Sequence, residues 1–169
     1  MKNIILIGMP GCGKSTVGVL LAKSAGMGFV DTDLLIQGAQ KRLLYKIIEE
    51  DGIDFFLRKE EEAVCAMTCF NCVIATGGSV VYEENTMAHL KSLGTVIYLR
   101  TPVEELEKRL HNIRTRGVVM GKGKTVRDLF DERRPLYEKY ADFTVDAAGE
   151  PEDVVEQLMK YAEENGDGI

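Results

Sequence analysis

The stretch that decides the fold is Asn3-Ile-Ile-Leu-Ile-Gly-Met-Pro-Gly-Cys-Gly-Lys-Ser-Thr16. Its apolar run at residues 4–7 predicts a short strand that is buried on both faces. The residues that follow fit the phosphate-binding loop G-x-x-x-x-G-K-[ST] through Gly8, Gly13, Lys14 and Ser15. The complete motif lies between a buried strand and an amphipathic helix, which favours a nucleoside triphosphate site over a turn that only connects two elements.

Each part of this loop has a chemical task. The glycines let successive backbone N–H groups converge on one anion, and the helix at residues 15–25 directs its positive dipole end to the same place. Lys14 adds positive charge for the outer phosphates, and the Ser15 hydroxyl suits Mg²⁺. Cys12 is expected to face outward as a small residue. The loop residues predicted to bind ATP are Gly11, Cys12, Gly13, Lys14, Ser15 and Thr16.

The composition limits the class of protein. A chain of 169 residues is long enough for one domain with a substantial core. The net charge of −6 is evidence against broad nucleic-acid binding. No apolar run approaches the length of a membrane span, and Met1-Lys2 leads into a strand without a cleavable signal. We therefore expect a cytoplasmic protein with no nucleic-acid or membrane partner. A monomer is our expectation for the oligomeric state, on which the sequence itself is silent.

Apolar runs and helical stretches alternate along the rest of the chain. After the first strand, we predict strands at residues 29–30, 72–76, 95–99 and 143–145. We predict helices at residues 34–40, 43–50, 53–69, 83–93, 102–112 and 125–140, and from residue 151 onward. This alternation predicts a three-layer α/β fold of the P-loop NTPase type, with a five-stranded parallel sheet flanked by helices.

Residues 113–124 interrupt this alternation. They contain four basic side chains and three glycines, without usable periodicity: Arg114, Arg116, Lys122 and Lys124, with Gly117, Gly121 and Gly123. A basic segment of this kind is typical of a mobile lid over phosphates. We place this lid within a single kinase domain at residues 1–169.

Three cysteines have a spacing that radical enzymes use for iron–sulfur clusters. Cys65, Cys69 and Cys72 spell C-x-x-x-C-x-x-C. The first two fall four residues apart on the predicted helix, and the third begins a predicted strand. Because free cysteine behaves as a small buried hydrophobe, we interpret all three as packing residues, without a cluster or a disulfide.

Two carboxylates follow the second predicted strand. Asp31 and Asp33 should point in different directions if the strand continues through them. One could then support Mg²⁺ beside Ser15, while the other faces an acceptor molecule. The alternative is a turn in which Asp33 caps the next helix. A second acidic run, Glu60 to Glu62, is interpreted as a solvated helix face.

Four segments together resemble shikimate kinases. They are Gly8-Met-Pro-Gly-Cys-Gly-Lys-Ser-Thr-Val-Gly18, Phe29-Val-Asp-Thr-Asp33, Ala75-Thr-Gly-Gly78 and Arg133-Arg-Pro-Leu-Tyr137. Their order and spacing match over nearly the whole chain. The resemblance implies a nucleoside-monophosphate-kinase-like fold with a closing lid. It also implies ATP-dependent phosphorylation of shikimate to shikimate 3-phosphate, in aromatic amino acid biosynthesis.

The resemblance also implies roles for individual acceptor-site residues. Asp33 would bind acceptor hydroxyls and take up the attacking proton, and Gly77 and Gly78 would approach the acceptor with bare backbone. Arg133 would pair with the acceptor carboxylate, a contact for which guanidinium is suited. We therefore expect Lys14, Asp33 and Arg133 to act in catalysis.

On the donor side, the resemblance implies two metal residues and two further ATP contacts. Ser15 would bind Mg²⁺ directly, and Asp31 would hold it through water. Arg116 corresponds to a lid arginine that contacts ATP, and Arg109 to one that lies against adenine.

The chain departs from the family pattern at two acceptor-site positions. The family has Phe-Arg-x-x-Glu, but Leu57 stands at the arginine position here and Arg58 follows it. A one-residue slip would instead align Arg58 with Glu61. Ser79 replaces the last of three glycines. Three readings remain open at this point: a shikimate kinase, a kinase for another small hydroxylated acid or polyol, and a non-catalytic ATP-binding accessory protein.

Overall fold

The computed structural model describes residues 2–110, 117–121 and 123–165. Within these ranges the strands run in parallel in one sheet, whose order is β2-β3-β1-β4-β5. Their bounds are Asn3–Ile7 for β1, Gly28–Asp31 for β2, Cys72–Ala75 for β3, Gly94–Arg100 for β4 and Phe143–Asp146 for β5. The predicted five-stranded parallel sheet is confirmed.

Helices connect these strands and cover the sheet. They are α1 (Lys14–Ala25), α2 (Thr32–Gln40), α3 (Leu44–Asp51), α4 (Ile53–Cys65), α5 (Glu84–Leu93), α6 (Val103–Arg109), α7 (Val126–Tyr140) and α8 (Pro151–Asn165), with a short 3₁₀ turn at Val80–Tyr82. Thr125 caps α7 through a capping box with Asp128, which explains where that helix begins.

Strand β1 occupies the centre of the sheet because all five of its residues are buried. Ile5 pairs with Ile74 of β3 on one side and with Val96 of β4 on the other. Helices α1 and α8 pack against each other, and Tyr98 of β4 stacks on Tyr137 of α7 with ring centroids 5.1 Å apart. The phosphate-binding loop therefore follows a central strand that is buried along its whole length.

A second, smaller apolar cluster lies away from the main core. Its buried members are Ile36, Leu44, Ile47, Phe56 and Val119, from α2, α3, α4 and the segment before α7. Because ligands of parallel α/β sheets bind beyond the carboxyl ends of the strands, this cluster lies where it can support a ligand site.

The predicted end of the fourth helix is wrong, and so is part of the interpretation of the cysteines near it. Helix α4 ends at Cys65, so Cys69 lies in the connection to β3 and not on the helix. Cys69 and Cys72 are partly buried and pack against the main core, as expected, but Cys65 is exposed, so its interpretation as a packing residue is wrong. Further along this connection, Asn71 adopts a left-handed backbone conformation, φ 55°, just before β3.

Two absences apply to the described part of the chain. It contains no group of three or more His, Cys, Asp or Glu side chains placed to hold a metal ion. No helix within it combines the length and apolar character that crossing a membrane requires.

Candidate active site

The phosphate-binding loop turns sharply at Gly8 and Gly13, whose φ angles of 148° and 98° favour glycine. A Cβ on Gly8 would lie only 2.8 Å from the Leu99 carbonyl oxygen. The Lys14 ammonium is mostly buried and donates hydrogen bonds of 2.8 and 2.9 Å to the Gly8 and Met9 carbonyls. Its hydrogen bonds to the loop are thus to neutral acceptors, which keeps its charge available for phosphate.

Cys12 is buried, so its predicted outward orientation is wrong. Its thiol packs in the main core and lies 3.6 Å from Lys14 Nζ. The tight turn at Gly8 folds the loop back, so that a Cβ at Gly8 would be 3.0 Å from Cys12 Sγ. Only the backbone of Cys12 remains for contact with a phosphate.

The structure brings together the two residues expected at the metal. Ser15 Oγ donates a 2.6 Å hydrogen bond to Asp31 Oδ2. The other oxygen of Asp31 accepts from the backbone N–H groups of Asp33 and Leu34. Asp31 therefore caps α2, and the prediction that Asp33 provides this cap is wrong. Hydroxyl and carboxylate oxygens are donors that Mg²⁺ accepts in proteins, so this pair fits that ion.

Asp33 lies in the first turn of α2 and not in the strand. Asp31 and Asp33 have different surroundings because helix α2 begins between them, and not because side chains alternate along a strand. Burial, reinforced by the negative charge of Asp31, raises the pKa of Asp33 to about 6 despite the opposing charge of Lys14. Asp33 Oδ1 is buried without a hydrogen-bond partner in the described chain. An acceptor hydroxyl would satisfy this oxygen.

Glu60 also lines the site, and the sequence interpretation missed it. Only 2% of its surface is exposed, whereas Glu62 is exposed as expected for a solvated face. Ser79 Oγ donates a 2.7 Å hydrogen bond to Glu60 Oε2, and Oε1 is buried without a partner in the described chain. Burial raises the pKa of Glu60 to about 8. The available signal was the spacing of four between Phe56 and Glu60, which puts both on one helix face.

Leu57 and Arg58 both lie outside the cavity lining. Leu57 packs against the smaller apolar cluster, and Arg58 is exposed on α4. Phe56 and Glu60 line the cavity, so the slipped alignment of Arg58 with Glu61 is not the one that the fold adopts. Arg58 therefore does not replace the arginine that is missing at position 57.

Arg133 is the most deeply buried cation of the site, with 1% of its surface exposed. Its Nε donates to the Tyr82 hydroxyl at 2.9 Å, and its Nη2 donates to the Val119 carbonyl at 2.6 Å. Its guanidinium also lies 4.9 Å from the Tyr82 ring centroid. No ion pair to Arg133 forms within the described ranges. A buried cation without a carboxylate partner favours binding of an anionic ligand.

Gly77 and Gly78 lie between these charged groups. A Cβ on Gly77 would collide with Glu60 Oε1 and would lie 2.9 Å from Asp33 Oδ1. A Cβ on Gly78 would lie 3.0 Å from Arg133 Nη1, and the Gly78 carbonyl accepts a 2.7 Å hydrogen bond from Tyr137. The missing Cβ atoms of the two glycines thus let Glu60, Asp33 and Arg133 approach the backbone closely.

One cavity of about 720 Å³ connects these groups to the phosphate-binding loop. At its other end lies Arg109, which donates to the Gly11 carbonyl at 3.3 Å and pairs with Glu105 at 3.1 Å. The segment 147–151 completes this end. The cavity therefore has room for a phosphate donor and an acceptor at the two sides of the loop.

The predicted lid is described only in part. Arg116, and with it residues 113–115 and Lys122, lies outside the described residues. Val119 is buried in the smaller cluster, and a Cβ on Gly117 would collide with Leu44. Segment 117–121 therefore packs onto α3 and covers part of the cavity.

Comparisons with known proteins agree with this geometry. The family model described as shikimate kinase matches residues 10–163. A shikimate kinase of Thermodesulfovibrio yellowstonii is 38% identical and covers 99% of both chains. Shikimate kinase 2 of Dickeya chrysanthemi is 36% identical over 94% of this chain and 95% of its own length. The structure of a shikimate kinase from Acinetobacter baumannii in complex with shikimate superposes with a TM-score of 0.89, at 29% identity, over 98% of this chain and 94% of that one.

Proposed function

Because the chain belongs to the shikimate kinase family, we propose that it transfers the terminal phosphoryl group of ATP to a hydroxyl of shikimate. The products are ADP, shikimate 3-phosphate and a proton. The enzyme is a phosphotransferase with an alcohol acceptor, as its relatives are.

The observation that best supports this proposal is the burial of Arg133 without a carboxylate partner in the described chain. Its guanidinium is buried and lines the cavity, and in the described chain its hydrogen bonds go to hydroxyl and carbonyl groups and to no carboxylate. A carboxylate on the acceptor would neutralise it through a charge-assisted, fork-shaped contact. An acidic acceptor is thereby favoured over a neutral sugar.

Asp33 is the proposed base on the acceptor side. Its unpartnered Oδ1 faces the same space as Arg133, so that an acceptor held by its carboxylate presents a hydroxyl to Asp33. The hydroxyl oxygen forms a bond to the terminal phosphorus of ATP, while the bond from that phosphorus to the bridging oxygen of ADP breaks. The hydroxyl proton passes to Asp33 and then to water. Positioning and charge neutralisation supply most of the catalysis in such transfers.

On the donor side, Lys14 and the backbone of residues 11–16 hold the phosphates. Ser15 and Asp31 are the residues that would hold Mg²⁺, and their oxygens already lie 2.6 Å apart. When bound, this ion neutralises charge on the phosphates. Lys14 would move its hydrogen bonds from the loop carbonyls to the phosphate oxygens.

The remaining ATP contacts are proposed at the far end of the cavity. Arg109 lines that end and would lie against adenine. Arg116 would reach ATP from the lid at residues 113–124, closing over the phosphates and excluding water.

The cellular setting is part of the same proposal. A shikimate kinase acts in aromatic amino acid biosynthesis, and we place this one in the cytoplasm as a monomer that binds neither nucleic acid nor membrane. The net charge of −6 agrees with the absence of nucleic-acid binding.

A kinase for another small hydroxylated acid is the second candidate, and Leu57 favours it. The side chain packs in an apolar cluster, and Arg58 is exposed, so that Arg133 has no second arginine beside it from α4. ADP release measured with a panel of hydroxylated acids tests both candidates. Turnover with shikimate that exceeds that with every other acid supports the first; a different preferred acid supports the second.

A further inference from the structure

Both departures from the family pattern, Leu57 and Ser79, affect the surroundings of the Glu60 carboxyl group. Leu57 precedes Glu60 by three residues on α4, so both side chains lie on adjacent positions of one helix face. Ser79, which replaces a glycine of the family pattern, donates its 2.7 Å hydrogen bond to the same Glu60. With the family's residues, an arginine at position 57 would give Glu60 a charged partner on its own helix. A glycine at position 79 would offer Glu60 no side-chain hydrogen bond.

We propose that Ser79 is a positioning residue that fixes the Glu60 side chain so that Oε1 contacts an acceptor hydroxyl beside Asp33. This inference rests on the proposed function, because it assigns a contact to the acceptor of that reaction. Gly77 supports the placement, since its missing Cβ leaves room beside both Glu60 Oε1 and Asp33 Oδ1.

The hydrogen bond from Ser79 also determines what Glu60 offers to a ligand. Oε2 accepts from the hydroxyl of Ser79, so a proton on the carboxyl group resides on Oε1. Burial favours the protonated acid, and the charges that act on it are Asp33 from α2, Arg133 from α7 and Lys14 from α1. Oε1 is then a hydrogen-bond donor, whereas Asp33 Oδ1 is an acceptor when ionised. Two neighbouring hydroxyls of one acceptor satisfy both.

Arginine at position 57 would change this arrangement. A guanidinium one helical turn from Glu60 stabilises the ionised carboxylate, which can accept hydrogen bonds but not donate them. Leu57 and Ser79 thus form a matched pair: the apolar neighbour leaves Glu60 without a charge that would ionise it, and the hydroxyl donor orients its carboxyl group.

Four variants test the inference: Ser79→Ala, Ser79→Gly, Leu57→Arg and the double change L57R/S79G. Ser92→Ala is the matched control, because Ser92 is exposed and its hydroxyl donates to the His89 carbonyl of its own helix, away from the site. Steady-state kinetics give KM for shikimate, KM for ATP and kcat. Carbon-13 NMR of the glutamate carboxyl groups follows the titration of Glu60, which Glu60→Gln assigns.

We expect Ser79→Ala and Ser79→Gly to raise KM for shikimate about three- to tenfold, the effect of one hydrogen bond. KM for ATP should stay within about twofold, and L57R/S79G should recover most of the loss because arginine again orients Glu60. The hydrogen bond from Ser79 lowers the pKa of Glu60, so Ser79→Ala should move its titration to higher pH. Leu57→Arg should move it to lower pH.

The outcomes separate the two proposals. If the unmodified protein shows no turnover of shikimate, the proposed function fails, and the NMR titration alone decides whether Ser79 acts on Glu60. If shikimate turns over but Ser79→Ala changes neither its KM nor the titration of Glu60, the inference about Ser79 is wrong. Equal increases in KM for shikimate and KM for ATP, without recovery in the double variant, would indicate a structural role only. That result would also refute the inference about Ser79.

Discussion

The Arg133 guanidinium donates a 2.6 Å hydrogen bond to the Val119 carbonyl, which joins helix α7 to segment 117–121 over the cavity. Val119 is itself buried against Phe56 in the smaller apolar cluster. The cation proposed to bind the acceptor is therefore held by the part of the chain that covers the acceptor. Its position is fixed before any ligand binds.

Replacing Arg133 by methionine should impair acceptor binding selectively. We expect kcat/KM for shikimate to fall about 10- to 100-fold, since a charge-assisted bond contributes about 1.5–3 kcal/mol. KM for ATP should change little. Arg134→Met is the control, because Arg134 follows Arg133 on α7 but is half exposed and forms only a long ion pair of 3.9 Å with Glu138 in the described chain. An equal fall in kcat/KM for shikimate in both variants would contradict the assignment of Arg133 to the acceptor carboxylate.

Asp31→Asn tests the metal pair without removing the helix cap. Asparagine caps helices as well as aspartate does, so the melting temperature should change little. Loss of the negative charge should raise the Mg²⁺ concentration needed for half-maximal activity by about tenfold, as weaker ligation implies. Asp54→Asn, an exposed change in the first turn of α4, is the control. An unchanged Mg²⁺ requirement would show that Asp31 only caps α2.

Arg58 and Leu57 together test the acceptor side of α4. Because Arg58 is exposed, Arg58→Met should leave KM for shikimate within about twofold, the range of a surface change. If shikimate is not the natural acceptor, Leu57→Arg should raise shikimate turnover by supplying a second cation. A large loss in Arg58→Met would mean that this arginine reaches the acceptor after all.

Glu60 should make the stability of the protein depend on pH. Its pKa is raised from 4.5 to about 8 in the folded state, so the folded protein binds more protons than the unfolded chain between these values. Stability from this group is therefore lost as pH rises from about 5 to about 8. Glu60→Gln, which cannot ionise, should melt on the order of 5 °C higher than the unmodified protein at pH 9, and at nearly the same temperature at pH 5.

Glu61→Gln is the control for this measurement, because Glu61 lies next to Glu60 but outside the cavity lining. Thermal unfolding followed by circular dichroism at several pH values measures both variants. If Glu60→Gln and the unmodified protein differ in melting temperature by the same amount at pH 5 and pH 9, the proposed link between Glu60 ionisation and stability is wrong.

The sequence predicted those parts of the fold that depend on local patterns. The buried run of β1, the loop that follows it and the Thr125 cap of α7 are each specified by a few consecutive residues. The parallel sheet follows from the alternation of predicted strands with predicted helices along the chain. Helix α4 is shorter than predicted because its apolar pattern continues through Cys69, whereas the helix itself ends at Cys65.

The candidate site was predictable only where a motif names its residues. Ser15 and Asp31 belong to two motifs, and the fold brings them into hydrogen-bond contact. Glu60 belongs to a run of three glutamates, and only the direction in which α4 packs decides which of them is buried. Cys12 was misjudged for the same reason, since the curl of the loop sets its orientation.

The most direct test of the central claim is ADP release by the unmodified protein with ATP, Mg²⁺ and shikimate, measured beside Asp33→Asn. We expect shikimate-dependent ADP release by the unmodified protein and none by the variant, because asparagine cannot take up the hydroxyl proton, while ATP binding to the variant persists. ADP release with shikimate no faster than with water alone would contradict the account.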